Sequence, residues 1–465
     1  MNFFLNKKVG VLGLSRTGIS SIKFLKKKGF SVFGWDDNKK ILSKVKKNKL
    51  NIKILNNSNL KKMSFLLTSP GIPYSGKKKH IILKKAEKEK VEILNDIELF
   101  FRFNPEEKYI GVTGTNGKST TVSLLSHVFK KLKINNSLSG NIGKPVFDLK
   151  KFKKSFNILE ISSFQLEAMK RTRFNVAVLL NISKDHIERH ESFEKYIAEK
   201  VKIFNNQSEN DISIIGVDDK ITSSLVKKLK KKLNSKIITI SRKNNKADIY
   251  VKDKRLIVNF NLEKKKISKK INIKQFKNFL GEHNYQNIAA VYAVVLSLGF
   301  FDWKKIENSI KSFKILPHRV QKIRQIGDIL FVNDSKATNI NATDQALKNF
   351  NNIYWILGGR IKEKNLQKLK KNFFRIKHVF LLGETKFLYE KYLKNFLDCT
   401  IVRNLQEAVK LSYYLAKKEI KKNSHSVVLL SPACSSLDEW RDFEERGNAF
   451  INLVRKILKK CKTIS

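Results

Sequence analysis

A chain of 465 residues with 41% hydrophobic content is too long for one ordinary core and too apolar for wholesale disorder, so two to four domains are expected. Its 95 Lys and Arg against 41 Asp and Glu give a formal charge of +54, which raises a nucleic-acid or anionic-membrane surface as one reading. The basic residues run through the whole chain in short stretches and gather in no arm or stripe. That favours a solvated lysine-rich surface that steers phosphate-bearing substrates, with no specific nucleic-acid partner. No apolar run reaches the about eighteen residues of a membrane span. The first residues enter a strand-like run without the layout of a secretory leader. Cys399, Cys434 and Cys461 form no CxxC pair, and together these features predict a cytoplasmic protein without membrane insertion.

Taken in chain order, Lys8–Gly13 reads as a strand, Gly18–Lys28 as a helix, Phe30–Asp36 as a strand and Phe65–Thr68 as a short strand ending at Ser69-Pro70-Gly71. A second unit begins near Pro105. Strand Tyr109–Thr113 leads through a glycine loop into a helix from Lys118, with Val122, Leu125, Val128, Phe129 and Leu132 at helical spacing. Strands Ile158–Ile161 and Val176–Asn181 follow, 245–277 alternates like hairpins, and Gly281–Leu298 reads as an Ala- and Val-rich helix. A third unit starts near Pro317, with strands at Ile329–Asn333, Ile353–Leu357, His378–Leu382 and Val427–Leu430. Helical segments between them predict βαβ order and a mostly parallel sheet, so the chain is α/β.

The strongest local signal is the segment from Tyr109 to Thr121, YIGVTGTNGKSTT. Strand, glycine loop and helix start come in the order that aims backbone N–H groups and the helix dipole at phosphate oxygens. Gly114, Thr115, Asn116, Gly117 and Thr120 would cradle ATP, Lys118 would reach its β- and γ-phosphates, and Ser119 would sit on Mg²⁺. The spacing is irregular: counting back from Gly117, Val112 stands where the generic pattern has its first glycine. The bland alternative, a Gly-rich turn before an ordinary helix, does not explain Lys-Ser-Thr at the helix start.

GVTGTNGKST resembles the loop of the Mur ligases and the related folylpolyglutamate synthetases. Further segments follow in that family's order, among them SPGIP at 69–73, GNIG at 140–143, LEISSFQLE at 159–167, DHIERH at 185–190, HNYQN at 283–287, LPHR at 316–319, LGGR at 357–360, NDSKATN at 333–339 and SPACSSLDEW at 431–440. The last two are similar to the D-glutamate-adding branch. The resemblance implies a Rossmann-like UDP-sugar-binding domain over 1–104, a central P-loop ATPase-type domain over 105–315, and a Rossmann-like domain over 316–465 that binds the amino acid and closes over the others. It implies ATP-dependent addition of D-glutamate to UDP-N-acetylmuramoyl-L-alanine through an acyl phosphate and a tetrahedral intermediate, a cytoplasmic step of peptidoglycan synthesis. A monomer is expected.

Residue by residue, the resemblance makes Glu160 and His186 metal ligands beside Ser119, and Lys200 a carbamylated lysine that joins them. By their chemistry alone, Glu160 at a strand end suits Mg²⁺, His186 reads as a structural or capping side chain, His190 as a surface residue, and Lys200 as one more helix-surface lysine. Asn284 and Asn287 share a helix face and fit capping, and the resemblance puts them beside the nucleotide. Arg319 and Asp334 match nucleotide contacts. Lys336, Thr338, Lys362, Ser436 and Leu437, with Phe443 nearby, match the positions that hold D-glutamate. Cys434 reads as a small packed residue. Gly13-Leu-Ser15-Arg-Thr-Gly18 imitates a dinucleotide fingerprint but has Ser15 where the pyrophosphate needs glycine. In the family this loop holds the UDP diphosphate, through Arg16, Thr17, Asp36 and Asp37, with Ser69 and Asn141 along the path. Two other readings stay open: an amide ligase of the same superfamily with another amino acid or folate, and a nucleic-acid-stimulated P-loop ATPase.

Overall fold

The computed structural model describes residues 8–47, 50, 52–149, 155–262, 265–279, 281–361, 365–419 and 425–462. Among them, three sheets are distributed over two compact units: residues 1–276 with 285–313, and residues 277–284 with 314–465.

The first unit holds two sheets. Strands β1 (Lys8–Leu12), β2 (Ser31–Trp35), β3 (Lys53–Ile54), β4 (Phe65–Thr68) and β5 (Glu92–Leu94) form a parallel sheet in the order β3-β2-β1-β4-β5. Strand β1 is buried along Val9–Leu12 and reads as a continuous apolar run, as a central parallel strand covered on both faces must. The chain leaves β1 toward β2 on one side and β4 on the other, which opens a crevice at the carboxyl ends of these strands.

The second sheet takes the order β14-β13-β12-β11-β10-β9-β6-β8-β7. Its strands are β6 (Lys108–Thr113), β7 (Asn136–Gly140), β8 (Phe156–Glu160), β9 (Val176–Leu179), β10 (Ile212–Gly216), β11 (Lys236–Ser241), β12 (Ile249–Lys252), β13 (Arg255–Leu262) and β14 (Lys265–Asn272). The alternating stretch expected to form hairpins does so: β12, β13 and β14 pair antiparallel, with Arg255 opposite Asn272 and Leu262 opposite Lys265. Their exposed lysines and buried Leu256, Val258, Phe260, Ile267 and Ile271 follow the period of two. Strand β6 lies between β8 and β9, all parallel, so the carboxyl ends of three buried strands meet at one place.

One buried carboxylate joins the two sheets of this unit. Glu98, fully buried in the helix Asp96–Phe103, accepts backbone N–H bonds from Lys170, Arg171 and Thr172 at 3.0–3.1 Å and the Thr172 hydroxyl at 2.6 Å. Arg102 Nε donates to it at 2.8 Å while the rest of that guanidinium grips Glu92 at 2.8 and 3.0 Å. Glu98→Ala would remove the acceptor that the Lys170–Thr172 backbone, the buried Thr172 hydroxyl and Arg102 Nε share. A loss of about 3–5 kcal/mol is expected, the scale of breaking a buried charged pair from one side, and urea unfolding would measure it.

The second unit carries β15 (Gln321–Ile326), β16 (Ile329–Asn333), β17 (Ile353–Gly358), β18 (Ile376–Leu382), β19 (Cys399–Ile401) and β20 (Ser426–Leu430), in the order β15-β16-β20-β17-β18-β19. Only β15 is antiparallel to its neighbour. Strands β16, β20 and β17 are adjacent, so the loops after Asn333, Leu430 and Gly358 converge. The core is built on both faces, around Trp355, Leu357 and Leu381 on one and Tyr354, Ile356 and Phe380 on the other.

Candidate active site

The phosphate loop is shaped by the strand next to its own. Asn181, just past β9, accepts the Thr115 N–H at its carbonyl and the Asn116 N–H at its side chain, both at 2.9 Å. Its own amide donates back to the Asn116 carbonyl at 3.1 Å and to Gln286 at 2.8 Å. Thr115 is exchanged with Ser183 through two bonds near 3.0 Å and meets the Tyr196 hydroxyl at 3.0 Å. Gly117 has φ +88°, and a Cβ there would come within 2.3 Å of the Asn287 side-chain oxygen, so this position needs glycine twice over. Asn287 in turn accepts from Thr121 at 3.2 Å. Ser119 and Thr120 are buried at the start of the helix Lys118–Lys131.

Two lysines converge on one carbonyl. Lys118 Nζ donates to the carbonyls of Gly114 at 2.8 Å and Thr115 at 2.9 Å, and Lys200 Nζ donates to the same Gly114 oxygen at 2.9 Å. Lys200 is 2% exposed, not a surface lysine, and sits 4.8 Å from the Tyr196 ring centroid. Burial, and after it the charge of Lys118, push its ammonium well below the usual lysine range.

Glu160 ends β8 and is buried; its Oε1 accepts from Asn141 at 3.0 Å. Its Oε2 is buried with no hydrogen-bond partner among the described residues, and so is the Ser183 hydroxyl. A buried carboxylate oxygen left open beside a phosphate loop suits a divalent cation. Among the described residues no three His, Cys, Asp or Glu side chains cluster as a metal cage. Mg²⁺, which keeps waters and phosphate in its shell, needs none. His186 takes a left-handed backbone, φ 55°, and its ring meets the Phe164 edge at 4.9 Å.

His190 departs from the surface position expected for it. It is buried, its Nε2 lies 2.9 Å from the Ser163 hydroxyl and its Nδ1 3.2 Å from Glu167. Burial pushes the imidazole down to about 4 and the Glu167 carboxyl up to about 7, so the histidine is neutral there.

A cavity of about 380 Å³ opens at the carboxyl ends of β1, β2 and β4, lined by Gly13, Thr17, Asp37, Ser69 and Asn141 among others. Asp36, also in its wall, is occupied by the loops: it accepts the backbone N–H of Leu14 at 2.7 Å and of Asn38 at 2.9 Å. Asp37 is held by Trp35 at 2.9 Å and His80 at 3.0 Å. Arg16 is exposed and donates to the Gly143 carbonyl. Asp96 and Gln165 line the cavity as well, unforeseen from sequence. Burial raises the Asp96 carboxyl to about 6. The signal for Asp96 lay in Asn95-Asp96, the helix start that Asn95 caps at 2.8 Å.

In the second unit, Lys336 Nζ lies 3.7 Å from the Phe443 ring centroid, so those two expected partners meet. Thr338 is partly buried two residues on, Ser436 is buried, and Leu437 is 54% exposed. Asp334 is buried, accepting from Ser431 at 2.9 Å and from the Val320 N–H at 3.1 Å; burial raises it to about 7 despite neighbouring Arg319, which is partly exposed. Asn284 is buried at the start of the helix His283–Ser297. Lys362 lies outside the described residues. Cys434 is packed in contact with Tyr389 and Thr385, and its thiol is raised by burial. The sequence reading missed Arg446. This fully buried guanidinium donates to the Ser335 hydroxyl and carbonyl at 3.0 Å and to the Cys434 carbonyl at 3.2 Å, fastening the loop after β16 to the loop after β20.

Parallel α/β sheets, a phosphate loop at a strand switch and a second crevice in the same unit define a nucleotide-binding α/β protein. Residues 112–295 match the family described as Mur ligase middle domain, and residues 7–95 match Mur ligase MurD-like, N-terminal domain. The chain is 36% identical over 459 residues to the UDP-N-acetylmuramoylalanine–D-glutamate ligase of Rickettsia prowazekii, covering 98% of this chain and 99% of that one. Among solved structures it is similar to UDP-N-acetylmuramate-alanine ligase MurC of Thermotoga maritima (TM-score 0.57, 18% identity, 97% and 99% of the two chains). It is also similar to the MurF ligase of Thermotoga maritima in complex with ADP (TM-score 0.54, 19% identity, 87% and 97% of the two chains). The chain belongs to the Mur ligases, in the family of UDP-N-acetylmuramoylalanine–D-glutamate ligases.

Proposed function

We propose that this chain joins D-glutamate to UDP-N-acetylmuramoyl-L-alanine at the expense of ATP, a step of peptidoglycan synthesis that releases ADP and phosphate. The observation that carries this reading beyond family membership is the meeting of Lys118, Lys200 and the half-unpaired Glu160 around one phosphate loop. The backbone N–H groups from Gly114 to Ser119 would bind the ATP phosphates, and Lys118 would neutralise charge on the γ-phosphoryl group as it moves. Ser119, Glu160, His186 and a carbamylated Lys200 would hold Mg²⁺, which supplies charge neutralisation at the phosphate oxygens.

The sugar nucleotide would occupy the cavity below Gly13 and Ser69, with Thr17 and Asn141 along it and its alanyl carboxylate toward the loop. One oxygen of that carboxylate attacks the γ-phosphorus as the bond to ADP breaks, giving an acyl phosphate. The neutral amine of D-glutamate then attacks the acyl carbon, and its nitrogen gives up one proton. The tetrahedral intermediate collapses to the amide as the C–O bond to phosphate breaks. In the second unit Lys336, braced on Phe443, with Thr338 and Ser436 would take the two carboxylates of D-glutamate.

Amino-acid-dependent phosphate release with UDP-N-acetylmuramoyl-L-alanine tests the reading. D-glutamate should drive it, and L-glutamate, L-alanine and meso-diaminopimelate should not. Strict dependence on another amino acid or on folate would overturn it. Lys336→Ala should raise the KM for D-glutamate by about tenfold or more, the scale of one charge-assisted hydrogen bond, and leave the KM for ATP within twofold. Among the described residues no helix is long and apolar enough to cross a membrane.

A further inference from the structure

The segment from His186 to Glu191 carries, besides the metal-side histidine, two grips on a distant loop. Arg189 Nη2 donates to the Ile72 carbonyl at 2.9 Å and Nη1 to the Gly71 carbonyl at 3.3 Å. Both residues belong to the wall of the sugar-nucleotide cavity. Two residues on, Glu191 Oε1 accepts the Lys77 backbone N–H at 2.8 Å. Gly76 makes room for that carboxylate: its φ is +75°, and a Cβ there would stand 2.7 Å from Glu191 Oε1.

The same segment is fixed to His186 by ring packing. The Arg189 guanidinium carbon lies 3.7 Å from the Phe164 ring centroid, and Phe164 meets the His186 ring at 4.9 Å. The four-residue helix that carries Arg189, Ile187–His190, is flanked by two non-glycine residues at positive φ, His186 at 55° and Glu191 at 67°. Such backbone is held by its surroundings and not by its own preference. Moving the loop 71–77 must therefore move Arg189 and Glu191, and through Phe164 must disturb His186.

We infer that Arg189 and Glu191 are positioning residues that couple the sugar-nucleotide cavity to His186, so that filling either site tightens the other. The coupling rests on the ligase reading only in placing a metal–nucleotide at the His186 side. By linkage the effect is reciprocal.

The test is calorimetric titration of the full chain with UDP-N-acetylmuramoyl-L-alanine, with and without Mg²⁺ and a non-hydrolysable ATP analogue. In the unsubstituted protein the metal–nucleotide should tighten the sugar nucleotide by roughly fivefold or more. In Arg189→Met with Glu191→Gln that factor should fall to one, while the affinity for the ATP analogue alone stays within twofold. Glu191→Gln by itself, a change on a partly exposed side chain, should fold normally and lower the factor partway. A factor of one in the unsubstituted protein, or an undiminished factor in the double variant, would overturn the coupling. Because the readout is binding, it stands apart from the D-glutamate assay: absent turnover with an intact factor would count against the amino-acid assignment alone.

Discussion

Lys118→Ala is expected to lower kcat by roughly a thousandfold, the loss that follows removal of one charged donor from a preorganised site. The ammonium lies over the carbonyls of Gly114 and Thr115, inside the loop and at the start of the helix Lys118–Lys131. Its position is set by a loop that Asn181 holds from the neighbouring strand, so removing the side chain should leave the loop standing. Unfolding in urea should accordingly shift by no more than about 1 kcal/mol, the net value of the hydrogen bonds lost. Phosphate release assayed with saturating substrates reads the first effect. Retained turnover would refute the phosphate assignment, and a large stability loss would show that Lys118 is structural.

Lys200→Ala should be nearly as damaging, about a hundredfold or more in kcat, and should respond differently to added solutes. The amine is buried beside a second cation, and both influences depress its proton affinity. A neutral amine attacks CO₂; an ammonium does not. In the proposed function Lys200 is carbamylated, and the negative charge of the carbamate would answer Lys118 in place of repelling it. Two results should follow. Short carboxylic acids such as formate or acetate, at tens of millimolar or roughly so, should restore part of the activity of Lys200→Ala by standing in for the missing anion, and should do nothing for Lys118→Ala. The unsubstituted enzyme, freed of CO₂ at low pH where the amine is protonated, should lose activity and regain it when bicarbonate is added at higher pH. Insensitivity of both proteins would leave Lys200 a buried structural amine.

The form of the phosphate loop was legible because it is local: its strand, turn and helix, Lys108–Thr113 and Lys118–Lys131, are consecutive in sequence. The hairpins over 245–277 were legible for a related reason, since alternation with a period of two leaves one face for Leu256, Val258 and Phe260. What could not be read came from pairing across the fold. Nothing near Asn181 announces that it will support a loop some sixty-five positions earlier. Arg446 looks like any helix arginine until its bonds to Ser335 and Cys434 are seen. His190 follows Glu-Arg and is flanked by Glu191, a polar run that predicts exposure, yet the turn at His186 folds it under Phe164 at 5.3 Å. Asp36 combines the two cases: it lines the cavity, as its position after β2 suggests, while each of its oxygens also accepts one backbone amide, from Leu14 and from Asn38, which only the fold reveals.

The carboxylate of Glu98 has one more consequence, for cooperativity. Its acceptor capacity is filled by the backbone of Lys170–Thr172 and by Arg102, so neither the sheet around β1 nor the sheet around β6 can open at this point without exposing unpaired groups of the other. Amide protons on β1 and β6 should then exchange through one shared opening event, with equal free energies, and not as two separable foldons. Glu98→Ala should split that event in two.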